Sequence, residues 1–367
     1  MPAFHYANPP VIHWGAGCTR ERLGEELQRV GARRVLLVTT RSAVRDPRLA
    51  PAVESLLGGL LKGRIGEVGE HAPARSVMEV AQAARAARAD ALVSLGGGSP
   101  IDAAKAAAFS MATGLDLRVP EALAQARGAR LGQVLPHVAL PTTLSAAELS
   151  GGAGFSAEGT REKVGVSAPE LRPAAVFYDA ELALPTPLPL WLSTGIRAVD
   201  HAVETLFAPG EHPLPDLAAL EGLRRLKAGL LAARARPEDP GARTECQLGA
   251  WFSFLLPGAA AAGLSHTLGK RLGSRHGIPH GVTSCLLLPH VLRYLAPRNP
   301  RAASRIAEAL DAPTAADGVA DLVAALELPR QLSAWNLSDE DLVAAARPLV
   351  SPDHPEGDLL AILRAAL

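Results

Sequence analysis

The run Leu92-Val93-Ser94-Leu95-Gly96-Gly97-Gly98-Ser99-Pro100-Ile101-Asp102-Ala103-Ala104-Lys105 decides the fold. An apolar stretch stops abruptly at three glycines and a helix follows. The pattern predicts Ser99 as its N-cap, Pro100 at the first helical position and Asp102 three residues after the cap. Glycines let a backbone approach a ligand closely. Free N–H groups and the positive dipole end of the helix suit a phosphate. By itself the stretch also fits an ordinary strand-to-helix turn, and it lacks the third glycine of the G-x-G-x-x-G fingerprint.

On the N-terminal side the pattern alternates. A short strand over Val11–Trp14 is followed by a helix capped by Thr19 and running to Val30. The continuous apolar run Arg34–Thr39 suits a strand covered on both faces. A helix over Pro47–Leu61, a strand over Ile65–Val68 and a helix over Ser76–Ala87 lead to the glycine stretch. Beyond it come a strand over Val138–Thr143, a hairpin of Gly151–Gly154 with Lys163–Val166, and a closing strand Ala175–Asp179. Such alternation predicts a parallel sheet with its ligand at the carboxyl ends of the strands. From Pro185 the strand signals stop and Ala/Leu-rich segments of helical period take over, so the boundary is placed at Leu184.

Composition narrows the class. The 367 residues suffice for two domains with real cores, and 37 basic residues balance 37 acidic ones, which gives no basis for nucleic-acid or anionic-membrane binding. Only 5 of the basic residues are lysines, so Lys105, Lys163 and Lys270 stand out against an arginine background. Cys18, Cys246 and Cys285 are odd in number and far apart, as expected of a reduced cytoplasmic protein. No signal peptide is expected, and the apolar run Phe252–Leu264 is too short to span a bilayer and reads as a buried helix.

Arg197 and His201 are four apart, which puts them on one helix face; His266 and Lys270 repeat the spacing, and His280 follows just after a helix must have ended. A lone histidine is most often surface or satisfied core. Three framed by glycine-rich helical segments point to a shared site, because imidazoles serve as metal ligands and proton donors.

Gly96–Ser99 with Asp102 and Lys105, the Pro141-Thr142-Thr143 turn, His201, His266 and Pro279-His280-Gly281 together resemble the iron-containing (group III) alcohol dehydrogenases, in order and spacing over nearly the whole chain. The resemblance implies a dehydroquinate synthase-like fold. An α/β dinucleotide-binding domain with a parallel sheet would span 1–184 and an all-helical catalytic domain 185–367, with the active site in the cleft between. It also implies a metal held by one Asp and three His, the latter matching His201, His266 and His280. Where the family aspartate stands, four residues before His201, this chain has Arg197. A guanidinium has no lone pair to give. At about 4 Å a unit-charge repulsion costs roughly 4 kcal/mol at an effective dielectric near 20, and a divalent ion doubles it. The expectation is a site without metal.

The segments Thr194–Glu204, Gly263–His266, Pro279–Cys285 and Pro141–Glu148 resemble one branch of the family, whose members reduce the C=C bond of a keto-dicarboxylate during aromatic breakdown; Lys270 stands where that branch leads one to expect a histidine. The implied roles follow. Arg197 supplies fixed positive charge, His201, His266 and His280 complete an oxyanion or carboxylate pocket, and one of these histidines or Lys270 delivers a proton. Gly96, Gly97, Gly98 and Ser99 hold the pyrophosphate, Thr142 and Thr143 approach the nicotinamide ribose, and Lys163 is a ribose partner. Asp102 either caps its own helix or touches the cofactor, and Lys105 reads equally as a solvated helix residue. Thr40 and Arg41 follow the Arg34–Thr39 strand where NAD-selective sites often place an acidic residue, which leaves both NADH and NADPH open. The resemblance further implies a homodimer. The rival readings are a metal-dependent alcohol dehydrogenase of the same fold and a non-catalytic dinucleotide-binding protein, which has no use for a basic cluster.

Overall fold

A computed structural model describes residues 6–159, 163–256 and 263–367. The chain divides into two compact units, one comprising Ala7–Thr186 with Glu238–Gln247, the other built on Pro187–Pro237 and Leu248–Leu367. The short segment 238–247, assigned to the helical domain by sequence pattern, thus groups with the α/β unit.

The strands are β1 (Ile12–Trp14), β2 (Val35–Val38), β3 (Leu61–Ile65), β4 (Ala91–Gly96), β5 (His137–Pro141), β6 (Gly152–Ser156), β7 (Lys163–Ser167) and β8 (Ala175–Tyr178). Between them lie α1 (Cys18–Arg29), α2 (Arg41–Arg45), α3 (Ala50–Leu57), α4 (Ala74–Ala86), α5 (Gly98–Thr113) and α6 (Pro120–Ala126), with α7 (Ala180–Ala183) after β8. Six strands form one parallel sheet in the order β1-β8-β5-β4-β2-β3, and β6 and β7 pair separately as an antiparallel hairpin. The last strand therefore inserts between β5 and β1 instead of closing an edge. β2 reads Val-Leu-Leu-Val and is buried throughout because helices cover both faces. Its Leu36 and Val38 pack with Val77, Val80 and Phe109 of α4 and α5. Its Val35 and Leu37 face the other way, onto Leu23, Leu27 and Val53 of α1 and α3.

The chain runs outward from β2 to β3, returns to β4, and then crosses to β5 on the opposite side. The crevice for a ligand accordingly opens at the carboxyl ends of β2 and β4. Two predicted caps move. α1 begins at Cys18, and Asp179, just after β8, accepts the N–H groups of Gly17 (Oδ1, 2.9 Å) and Thr19 (Oδ2, 2.9 Å). Likewise α5 begins at Gly98 with Gly97 as its N-cap, so Ser99 and Pro100 lie inside the first turn. The strand expected over Ile65–Val68 is β3, four residues earlier, where the alternation of Leu61–Ile65 pairs with β2.

In the second unit the helices are α8 (Leu188–Phe207), α9 (Pro213–Ala235), α10 (Pro240–Phe252, whose first residues belong to the other unit), α11 (Leu264–His276) and α12 (His280–Leu295), followed by α13 (Pro300–Ala309), α14 (Ala315–Ala325), α15 (Asp339–Ala346) and α16 (Glu356–Ala365). Leu268 and Leu272 of α11, Leu287 and Val291 of α12, Leu342 of α15 and Leu359 and Leu363 of α16 share one core. The buried helix expected over Phe252–Leu264 does not form at Ser253–Leu256, where a turn at Ser253 and Phe254 leads into irregular chain, and residues 257–262 lie outside the described residues. No helix among the described residues is long and apolar enough to cross a membrane. Cys18, Cys246 and Cys285 are all buried and free of disulfides.

Candidate active site

The glycine turn of the α/β unit is shaped by its own neighbours. Gly96 has φ +137°, a conformation closed to other L-residues, and a Cβ there would meet Pro100 Cγ at 2.8 Å. A Cβ on Gly97 would lie 3.1 Å from Thr143 Oγ1, and one on Gly98 would lie 3.3 Å from Ser145 Oγ. The glycines are thus required first for the loop after β5 to close over the turn. Thr142 is tied in by its N–H to Gly96 O (2.9 Å), and its own carbonyl accepts from Thr186 Oγ1 (2.7 Å). Gly97, the N-cap of α5, has no side chain to cap the helix, and an N-terminus of this kind suits a phosphate. Thr40 caps α2 through its Oγ1 (3.4 Å from Ala43 N), and its methyl lies 3.9 Å from the ideal Cβ position of Gly96. Arg41 is paired with Glu67 (2.9 Å).

The remaining cofactor-side residues fall around this turn. Ser99 Oγ accepts the N–H of His71 (3.1 Å), and Lys163, at the start of β7, lies close enough to lower the pKa of that histidine after burial has done so. His71 carried no signal in the sequence; a positive φ of 60° brings its loop to Ser99. Asp102 does not cap its helix. It pairs with Lys105 Nζ at 2.9 Å, and Lys105, fully buried, donates to the carbonyls of Ala147 (2.7 Å) and Gly152. The solvated reading of Lys105 is therefore wrong: the ammonium pins the Ala147–Gly152 segment to α5. Below it Glu148 is fully buried, with Oε1 accepting from Tyr178 OH (2.8 Å), and burial pushes its carboxyl up to about 7.

In the helical unit α8, α11 and α12 each bring one histidine to a single cluster. The ring centroids of His201 and His266 are 6.2 Å apart and those of His266 and His280 are 5.3 Å apart; the His201 ring also meets Phe254 edge-on at 4.8 Å. Glycine next to each crossing allows the approach. A Cβ on Gly281, beside His280, would strike Ser193 O of α8 at 2.6 Å, and one on Gly263, the N-cap of α11, would strike Glu204 Cγ at 2.8 Å. Burial, with the charge of Arg197 nearby, holds the His201 imidazole well below its ordinary pKa, so it is neutral at pH 7. Lys270 lies exposed on α11, one turn beyond His266.

Arg197 is 3% exposed. Its Nη1 donates to Asp200 Oδ2 (2.8 Å) and Ser284 Oγ (3.0 Å). Asp200 Oδ2 also accepts from Ser265 Oγ (2.9 Å) and Ser284 Oγ (2.6 Å). Burial raises the Asp200 carboxyl, and Arg197, then Ser284 and Ser265, oppose that rise. Glu204 Oε1 accepts the N–H of His266 (2.8 Å), and burial pushes this carboxyl well above its usual range. Among the described residues no group of three or more His, Cys, Asp or Glu converges as a metal cage. Arg197 has no lone pair to give a cation, and the carboxylate beside His201 is turned onto two serines.

Family models agree with this anatomy. That of the iron-containing alcohol dehydrogenases matches residues 9–180, and that of the family's C-terminal domain matches residues 191–354. The chain belongs to the iron-containing alcohol dehydrogenase family. A maleylacetate reductase from Pseudomonas sp. (strain P51) is 32% identical over 355 residues, covering 97% of this chain and 93% of that protein. Crystal structures of maleylacetate reductases from Rhizobium sp. strain MTP-10005 and Agrobacterium tumefaciens each align at TM-score 0.83 and 30% identity over 100% of this chain and 99% of theirs. As a member of this family the chain is an oxidoreductase with a nicotinamide-dinucleotide fold.

Proposed function

We propose that the protein reduces the C=C bond of maleylacetate to give 3-oxoadipate with NADH or NADPH, without a metal ion. The observation that carries this reading is Arg197, buried and bonded to Asp200, standing where the family's metal requires a carboxylate. The similarity to several maleylacetate reductases supports the choice of substrate. Gly96, Gly97, Gly98 and Ser99 hold the cofactor pyrophosphate, with Asp102, Thr142, Thr143, Lys163 and Thr40 around it. The bound cofactor supplies a hydride to the alkene carbon β to the substrate ketone.

Negative charge then develops on the ketone oxygen. His201, neutral, meets it with a ring N–H, and the buried guanidinium of Arg197 stabilises it at longer range. His266, whose ring neighbours both other imidazoles, delivers the proton to the α carbon, and His280 completes the pocket. Lys270 offers its ammonium to a substrate carboxylate. The protein acts in the cytoplasm as a homodimer.

The test follows NADH and NADPH oxidation with freshly generated maleylacetate, with and without a strong chelator. Turnover that survives chelation is expected. No turnover, or turnover lost to chelator and restored by iron or zinc, would overturn the reading in favour of a metal-dependent alcohol dehydrogenase.

A further inference from the structure

Asp200 is fully buried and immediately precedes His201 on α8. Its Oδ2 alone accepts from three donors: Arg197 Nη1 on α8, Ser265 Oγ on α11 and Ser284 Oγ on α12. Each serine stands beside a histidine. Ser265 directly precedes His266, and Ser284 lies one helical turn after His280. One carboxyl group therefore touches all three helices that carry an imidazole. Glu204, one turn further along α8, adds a tie by accepting the N–H of His266, in space that the absent side chain of Gly263 leaves open.

We propose that Asp200 is the positioning residue of the histidine cluster. By gathering Ser265 and Ser284 it fixes the spacing of the three imidazoles, a task that a shared metal ion performs where imidazoles ligate one. The assignment rests on the histidines being the reacting cluster named above. Apolar packing alone leaves helices several near-equivalent ways to slide, whereas hydrogen bonds of 2.6 to 2.9 Å to one oxygen admit a single arrangement. A buried ion pair adds little net stability over an apolar replacement, so what it contributes here is geometry. Geometry matters at this site because a misplacement of about 1 Å can cost on the order of a hundredfold in rate.

The test uses Ser265→Ala, Ser284→Ala and the double variant in the full chain, since each keeps the Arg197–Asp200 pair. Three quantities are measured: kcat and KM for maleylacetate, NADH affinity, and the side-chain nitrogen shifts of His201, His266 and His280 by NMR in histidine-labelled protein. The double variant should lose kcat by roughly 30- to 100-fold, given that geometric penalty, with a much smaller rise in KM and unchanged NADH affinity. The signals of His266 and His280 should move. Unmoved imidazole signals overturn the assignment, whether kcat is retained or falls only with the folded fraction. If the wild-type protein leaves maleylacetate untouched, the substrate reading falls, and the imidazole signals still decide the role of Asp200.

Discussion

Arg197→Met removes one half of the buried pair and keeps most of the side-chain volume. The two groups lie 2.8 Å apart with side-chain exposures of 4% and 0%, so water cannot take over for the lost guanidinium. Breaking a buried pair by deleting one partner costs about 3–5 kcal/mol. For a unit of this size that is roughly 6–20 °C in unfolding midpoint, at about 2–4 °C per kcal/mol. The loss should depend on pH. Burial already raises the Asp200 carboxyl above its ordinary 3.8, and Arg197 is the largest influence opposing that rise. Without it the folded-state pKa climbs further. A raised folded pKa means stability present at low pH and lost as pH rises through it, so the deficit against wild type is larger at pH 8 than at pH 5. Replacing both partners, Arg197→Met with Asp200→Leu, and also Ser265→Ala and Ser284→Ala, whose buried hydroxyls would otherwise lose their acceptor, should recover most of the stability and none of the activity. Thermal and urea unfolding of the wild type and both variants at both pH values provides the measurement. A single-variant loss below about 1 kcal/mol, or one equal at both pH values, would refute the reasoning.

Other outcomes follow from neighbouring geometry. Glu148→Gln should remove a pH dependence: the carboxyl at about 7 against 4.5 unfolded makes wild-type stability fall as pH rises between those values. Relative to the variant the fall is roughly 3 kcal/mol, read from unfolding curves at pH 4.5 and 8. Lys270→Ala should raise KM for maleylacetate about tenfold, the loss of one charge-assisted hydrogen bond, and leave kcat within twofold. Gly97→Ala forces a Cβ to within 3.1 Å of Thr143 Oγ1 and should weaken NADH binding by about tenfold with the fold intact, as fluorescence titration would show. Steady kinetics or unaltered titration curves in either variant would count against the role given to that residue.

The glycine turn, the parallel sheet and the helical second half were all legible from pattern. Fully buried strands such as β2 and β4 are continuous apolar runs, and a triple glycine has few uses other than a tight turn. Capping was misread because it was sought locally. Thr19 and Ser99 have the right side chains, yet the N–H groups at the start of α1 go to Asp179, more than 150 residues away, and α5 starts at a glycine. Lys105 was ambiguous because nothing in its own helix reveals three carbonyls waiting in the Ala147–Gly152 segment.

The sequence by itself determined which side chains are available: three histidines at family spacing, and an arginine where a metal would need an acid. It also contains a hint of buried polar partners. Arg197, Asp200 and Glu204 recur at helical spacing along α8 and are all buried, as charges are only when something answers them. What answers them was decided by tertiary structure alone. Ser265 and Ser284 are 65 and 84 residues from Asp200, and an ordinary serine pattern gives no sign of a partner that far away. Helix spacing places groups on one face of one element; only the packing of α8, α11 and α12 brings three faces to one carboxyl group.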